Sequence, residues 1–408
     1  MIETLLYLKA EGIWNRDIWH AGLVGISDSG DLSWAKIAPI LESAPDEIFQ
    51  SESWAIAFWV ERASKNITPG SNVEDLFWSI FEKLSDFTPQ KEEINEKDVI
   101  HDAINDSIGI LTEALVNRFG QRNIQVGEGI PSQSLLSCLN KIVQSNGNSF
   151  LLGRVVLASR IHYFYLIEPE WTRNTFLPLM NWKTSNEAAY IWTGYLRAPK
   201  VTVDLGLEIK SQLLVALQKR EQLGELAENL HKLFAFICLE YPDLYALDQK
   251  ISGLRSVGIN GLEEIAEFLW HSVSRDQLDK DAYWHNRVKP FIHSLWPKDV
   301  TSEKISRSLS LFCLQFGESF DDVFNEIKRV IMPFKDLGLF LHEMKQSQAL
   351  KEKPKSAFNL LGTVFTGNYE WPDNELREVL DILKGEDSAI VGEQDYKIID
   401  QYLLENRL

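Results

Sequence analysis

Apolar and aromatic side chains recur at helical spacing along the whole of this chain, and that spacing constrains the fold more than any other feature. Trp54-Ala-Ile-Ala-Phe58-Trp59-Val60 and Tyr190-Ile-Trp192-Thr-Gly-Tyr195-Leu196 are representative, and 13 Trp are spread over 408 residues. Large aromatic side chains bury wide apolar areas, so a chain patterned in this way builds a long core from stacked helices. In 32–41, from Leu32 onward, Trp34, Ile37, Ala38 and Leu41 fall at i, i+3, i+4 and i+7. Pro39 lies inside that segment and is expected to kink it.

The same periodicity predicts a helix over 46–63 with Asp46 as N-cap, a turn at 68–72, and a long helix over 98–119 capped by Gly120. A loop carrying Gly127 and Gly129 follows, over 121–131. Further helices are predicted over 132–144, 151–167, 205–219, 223–240, 262–272, 302–316 (with Gly317 after it), 358–366, 374–384 and 396–405. The best β-like run is Val201-Thr-Val203, and it is short. Ordinary helix and connection lengths give about twenty helices. The expected fold is an all-α, HEAT-like helical repeat array, or α-solenoid. It divides softly into 1–120, 132–240 and 261–408, with 120–131 and 241–260 as boundaries. Trp54, Phe58, Trp59, Trp78, Phe164, Trp192, Phe234, Trp270 and Phe316 are the expected core aromatics.

Internal similarity points the same way. Trp14-Asn-Arg16-Asp17 resembles Trp171-Thr-Arg173-Asn174; Trp34 and Trp192 follow about twenty residues later, and Ala44-Pro45 and Ala198-Pro199 close each unit. Stacked helix pairs produce such echoes, and so does chance among Trp-rich helices.

A net charge of −18 opposes nonspecific attachment to nucleic acid or anionic membranes. The richest basic stretch, Arg287, Lys289, Lys298, Lys304 and Arg307, reads as a solvated face. Cys138, Cys238 and Cys313 are too sparse and far apart for a disulfide framework or zinc knuckle, and read as buried thiols. The N-terminus lacks the basic and apolar regions of a signal peptide, and the strongest apolar run, 233–239, is too short to span a bilayer. A cytoplasmic protein without nucleic-acid or membrane partners is expected.

Motifs that carry chemistry fall short of their requirements. His342-Glu343 begins like a zinc-binding HExxH, but Gln346 stands where the second imidazole is needed. His101-Asp102 reads as the start of a helix rather than a metal pair. His285 and His293 flank Pro290 and could share a face, without a carboxylate pair nearby in sequence. Gly127-Glu-Gly129 lacks the strand and third glycine of a dinucleotide loop. Asp321 and Asp322 are adjacent, so they point in different directions on a helix. No phosphate-binding loop or serine-hydrolase elbow occurs. No catalytic residue, metal ligand or cofactor is assigned.

Two stretches carry a family resemblance. One is Trp171-Thr-Arg-Asn-Thr-Phe-Leu-Pro-Leu-Met-Asn181-Trp182, followed by Ser185-Asn-Glu187-Ala188 and Trp192-Thr-Gly194-Tyr195-Leu196. The other runs from Trp284 to Leu295 into Trp296-Pro297-Lys298-Asp299, then Phe316-Gly317-Glu-Ser-Phe320 and Pro333. Together they resemble the C-terminal helical region of large bacterial anti-phage defence proteins that carry an N-terminal sirtuin-like NAD-hydrolysing domain. The helical pattern here begins within the first two turns, so the NAD-binding residues of that family have no counterpart and are not carried over. The resemblance implies a sensing or scaffolding module whose partner is a phage protein or a defence effector. An enzyme with its site around His285 and His293, and a homo-oligomerisation scaffold, are the rival expectations. Trp171, Arg173, Trp182 and Arg197 form the expected partner-binding surface, because interface hot spots favour Trp and Arg and charged side chains resist burial. Gly194 is expected to permit close helix packing and Trp296-Pro297 to end a helix.

Overall fold

The structure is a computed structural model that describes residues 2–29, 33–274, 279–367 and 374–405. Every regular element among them is helical. Contacts divide the chain into two compact units, Met1–Leu226 and Ala227–Leu408. The first holds α1 (Ile2–Ala10), α2 (Arg16–Ser29), α3 (Trp34–Glu42), α4 (Asp46–Ser51), α5 (Ser53–Ala63), α6 (Asp75–Phe87), α7 (Val99–Asn105), α8 (Ser107–Gly120), α9 (Gln133–Gln144), α10 (Asn148–Ala158), α11 (Ile161–Ile167), α12 (Pro169–Trp171), α13 (Ala188–Leu196) and α14 (Val203–Gln218). The second holds α15 (Ala227–Glu240), α16 (Leu247–Ser256), α17 (Gly258–Val273), α18 (Lys280–Tyr283), α19 (Lys289–Leu295), α20 (Glu303–Cys313), α21 (Phe320–Ile327), α22 (Gly338–Gln346), α23 (Ala349–Glu352), α24 (Pro354–Val364), α25 (Asn374–Glu386) and α26 (Gln394–Glu405).

Helices alternate between two rows. In the first unit α2, α5, α8, α10 and α13 pack in succession, while α1, α3, α6 and α9 form a second succession beside them. In the second unit the rows are α15, α17, α20, α22, α25 and α16, α19, α21, α24. Polar ties between neighbours in a row join residues about one repeat apart, as expected for stacked helix pairs. Arg62 reaches Asp28 (3.1 Å), Arg154 reaches Glu187 (2.8 Å), and Lys345 reaches Glu375 (2.9 Å). The chain is an all-α helical array.

Several long predicted helices are two helices with a break between them. The 98–119 segment splits at Asp106, whose backbone is extended and whose carboxylate accepts Ile108 N at 2.8 Å, capping α8. Gly120 is therefore the last residue of α8 rather than a cap beyond it. The 46–63 segment splits at Glu52, and Asp46 is the first residue of α4 with Pro45 before it. The 151–167 segment becomes α10 and α11, bent by 70°. No single helix among the described residues is long and apolar enough to cross a membrane. Val201-Thr-Val203 is no strand: Thr202 caps α14 through Leu205 N. Helix α20 stops at Cys313, earlier than the spacing predicts, so Gly317 is not its cap. Leu32, expected at the start of α3, lies outside the described residues; Pro39 does fall inside that helix.

Trp59, Phe164, Trp192, Phe234 and Phe316 are buried as expected. Trp54 is 36% exposed, and Phe58, Trp78 and Trp270 are only half-buried. The reason is visible in α5, which is apolar all round from Trp54 to Val60. It turns Ala55, Ile56, Trp59, Val60 and Ala63 inward. That leaves Trp54 and Phe58, four residues apart, stacked on each other at 5.1 Å on the outer face with Arg62 over Phe58. Three buried indoles find acceptors, Trp19 in Ile13 O, Trp34 in Val73 O and Trp192 in Met180 O, whereas the Trp59 and Trp296 indole N–H groups are buried without one among the described residues. Cys138, Cys238 and Cys313 are free and buried, and burial pushes the Cys238 thiol up to about 12.

Candidate functional site

The four residues expected to bind a partner all lie in the first unit. Trp171, half-buried, donates its indole N–H to Asn140 Oδ1 at 2.8 Å. Trp182, also half-buried, stacks on Trp192 (6.5 Å) under Lys219. Arg173 is exposed and paired with Glu208 at 2.7 Å, and Arg197 is exposed at the end of α13. Two of the four are thus partly committed to packing, and the arginines are the accessible ones. Converting both arginines to Glu is expected to leave the thermal unfolding midpoint nearly unchanged, because exposed pairs contribute little to stability. Binding to an acidic partner at this surface would weaken in the same variant. A large fall in the midpoint would show that the arginines are structural.

The histidines have a different setting from the one expected. Helix α21 supplies the carboxylates that were lacking in the local sequence: His285 Nδ1 lies 3.7 Å from Asp322, and His293 Nδ1 lies 3.2 Å from Glu326. Both carboxylates are already engaged. Lys289 Nζ (2.7 Å) and the Trp284 indole (2.7 Å) hold Asp322, and Arg329 holds Glu326. Burial alone would raise the Asp322 carboxyl, but the hydrogen bonds from Lys289 and Trp284 outweigh it and hold it below the usual range. The arrangement ties the segment around Pro290 to α21. Asp321 points elsewhere, to Lys353 at 3.2 Å. His342 meets Gln346, and Asp102 pairs with Lys91. Among the described residues no cluster of His, Cys, Asp or Glu is arranged to hold a metal ion. The basic stretch is neutralised in part, with Lys289 on Asp322, Lys304 near Glu263 and Arg307 on Asp336.

A groove of about 530 Å³ over α17, α20 and α22 combines the chemistry that the sequence-picked residues do not. Asn260, Glu263, Glu264, Glu267 and Trp270 recur every three or four residues along α17, so they form one wall. Ser308 and the buried Leu311 of α20 lie at the floor, and Leu339 of α22, 44% exposed, faces them. Trp270 stays half-buried with its ring stacked on His271 at 4.5 Å. Glu263 is fixed by Ser302 Oγ at 2.7 Å, and Glu264 by the buried His231 at 2.6 Å. Gly261 makes that second contact feasible, since a Cβ there would lie 2.9 Å from His231 Nδ1.

Two larger cavities also mix apolar and acidic residues, but neither is lined, among the described residues, by an exposed large apolar side chain such as Leu339. One, about 630 Å³, is rimmed by Glu92, Glu93, Glu96 and Glu187; Glu187 is bound to Arg154, and Tyr190 donates to Glu96. The other, about 610 Å³, is lined largely by polar groups such as Asp281, Glu343 and Gln346. Sequence reasoning missed the groove because Trp270 was counted as core. The signal was present: Glu263, Glu267 and Trp270 share one face of α17, and acidic residues on a Trp-bearing face mark that face as solvated. Comparison with protein-family models, curated proteins and solved structures finds no match to this chain.

Proposed function

We propose that this chain is a non-catalytic protein-interaction module, and that it works in the cytoplasm as a sensing or scaffolding part of a bacterial anti-phage system. The observation that carries the interaction reading is the groove in which accessible Trp270 and Leu339 sit beside fixed carboxylates. An anchor for apolar side chains bordered by ordered polar groups is how protein interfaces are built. The defence setting comes from the resemblance carried by Trp171–Trp182 and Trp284–Trp296. The partner is a phage protein or a defence effector.

The test uses the chain as bait in phage-infected and uninfected bacteria, beside a Trp270→Ala/Leu339→Glu variant. The wild type is expected to retain a defined phage or effector protein, and the variant to lose most of it, because truncating a hot-spot Trp costs about 2 kcal/mol or more. Equal capture by a variant that melts like the wild type would remove the groove from the interface. Robust NAD hydrolysis by the purified chain would overturn the non-catalytic reading.

A further inference from the structure

We propose that the groove over α17, α20 and α22 takes a basic amphipathic helix of the partner protein, an inference that rests on reading the groove as an interaction site. The argument begins with charge. Lys304 lies 3.5 Å from Glu263, and Arg307 lies 2.9 Å from Asp336, so both cations at the groove already face carboxylates. Among the described residues, Glu264 and Glu267 meet histidine rings instead, His231 at 2.6 Å and His271 at 3.6 Å. Glu267 is 52% exposed at its side chain, and it stands between Glu264 and Trp270 on the same wall. The groove therefore presents net negative charge beside an apolar seat, on a chain of net charge −18. A cationic partner gains from both the local and the long-range field.

The length of the wall accommodates a helix. The α17 wall from Asn260 to Trp270 rises 1.5 Å per residue, about 15 Å in all, which matches about three turns of a docked helix. Apolar residues on one stripe of that helix would rest on Trp270 and Leu339, above the buried Leu311. Lys or Arg one turn away would reach Glu264 and Glu267. This is recognition of a helix in a groove, with anchors at i, i+3 or i+4, and i+7.

Three fluorescent amphipathic peptides of about fifteen residues test the proposal, built from Leu with Lys, Leu with Gln, and Leu with Glu. Anisotropy titrations use the whole chain. The Leu/Lys peptide is expected to bind tightest and to weaken with added salt, and Glu267→Lys to weaken it about tenfold, with Glu267→Gln in between. Leu339→Glu separates docking from bulk attraction: a seated helix loses its apolar contact and binds more weakly, whereas mere attraction to an acidic surface strengthens. Leu/Lys binding that is unaffected by Glu267→Lys, or improved by Leu339→Glu, overturns the proposal. Equal binding of all three peptides, abolished by Trp270→Ala, overturns the charge selection and leaves the groove as an interaction site. Binding of none of them overturns the basic-helix proposal, while the interaction reading stands or falls on the bait experiment.

Discussion

Replacing Glu74 with Ala is expected to destabilise the first unit by about 3–5 kcal/mol, the cost of leaving a buried charge without its partner. Arg118 is fully buried, and its guanidinium contacts Glu74, Ser64 O (3.1 Å), Ile67 O (2.7 Å) and Gln121. Arg122 converges on the same Glu74 carboxylate, and Gly70 N donates to it at 2.7 Å. Without Glu74 two guanidinium groups face each other in a dry site. A stability of about 5–15 kcal/mol is usual for a domain, so urea unfolding should show a much lower midpoint. A loss below about 1 kcal/mol would mean that water or Gln121 compensates.

The pH dependence has a definite sign. Burial alone would raise the Glu74 carboxyl, but the bonds from Arg118, Gly70 N and Arg122 outweigh it and hold it below its ordinary 4.5. A carboxyl with a lowered folded-state pKa contributes stability that is present above 4.5 and lost as pH falls through the folded value. The gap between wild type and Glu74→Ala should therefore be full at neutral pH and shrink in acid below 4.5. A gap that grew in acid would contradict the assignment.

Gly194→Ala is expected to destabilise the chain by about 1–3 kcal/mol, against the helix propensity of the two residues. Propensity alone favours Ala over Gly by about 1 kcal/mol in a helix interior. The added methyl, however, would lie 2.2 Å from Val155 O and 2.9 Å from Ala158 Cβ, where α13 crosses α10. Backbone cannot yield as a side-chain tip can, so the two helices must separate. Gly120→Ala is the matched control: its Cβ meets nothing within 4 Å at the end of α8, and the change should be neutral or stabilising. Thermal melts should show a lowered midpoint for Gly194→Ala and an unchanged or raised one for Gly120→Ala, and a comparable fall in both would refute the packing argument.

Helical spacing made most of the architecture readable, because each helix buries one stripe and repeats it every three or four residues. Ser132, Asp98 and Ser302 were recognisable as starts, and each caps its helix through a backbone N–H. The role expected of Gly194 was readable for the same local reason. Breaks were harder. Asp106 and Glu52 interrupt continuous apolar patterns, and what they bond lies far along the chain: Ser149 donates to Asp106 at 2.9 Å, and Arg16 and His20 to Glu52 at 2.8 Å. The candidate site was less legible still. Its Trp270, Leu311 and Leu339 come from three helices, and nothing in a single helix says which of its aromatic residues the next repeat will cover.

By itself, then, the sequence determined that this chain is all-helical and that its aromatic stripes must be buried between stacked helices, since period and side-chain size are local properties. Tertiary structure decided which stripe faces inward on α5 and α17. It left Trp54 and Trp270 accessible while Trp59 went inside, because burial depends on which neighbouring helix arrives. It also decided that Asp322, near His285, is spoken for by Lys289, and that Glu264 of the α17 wall is left to His231. Charge pairing across 30 to 40 residues is a matter of helix register, and register is fixed only when the rows pack.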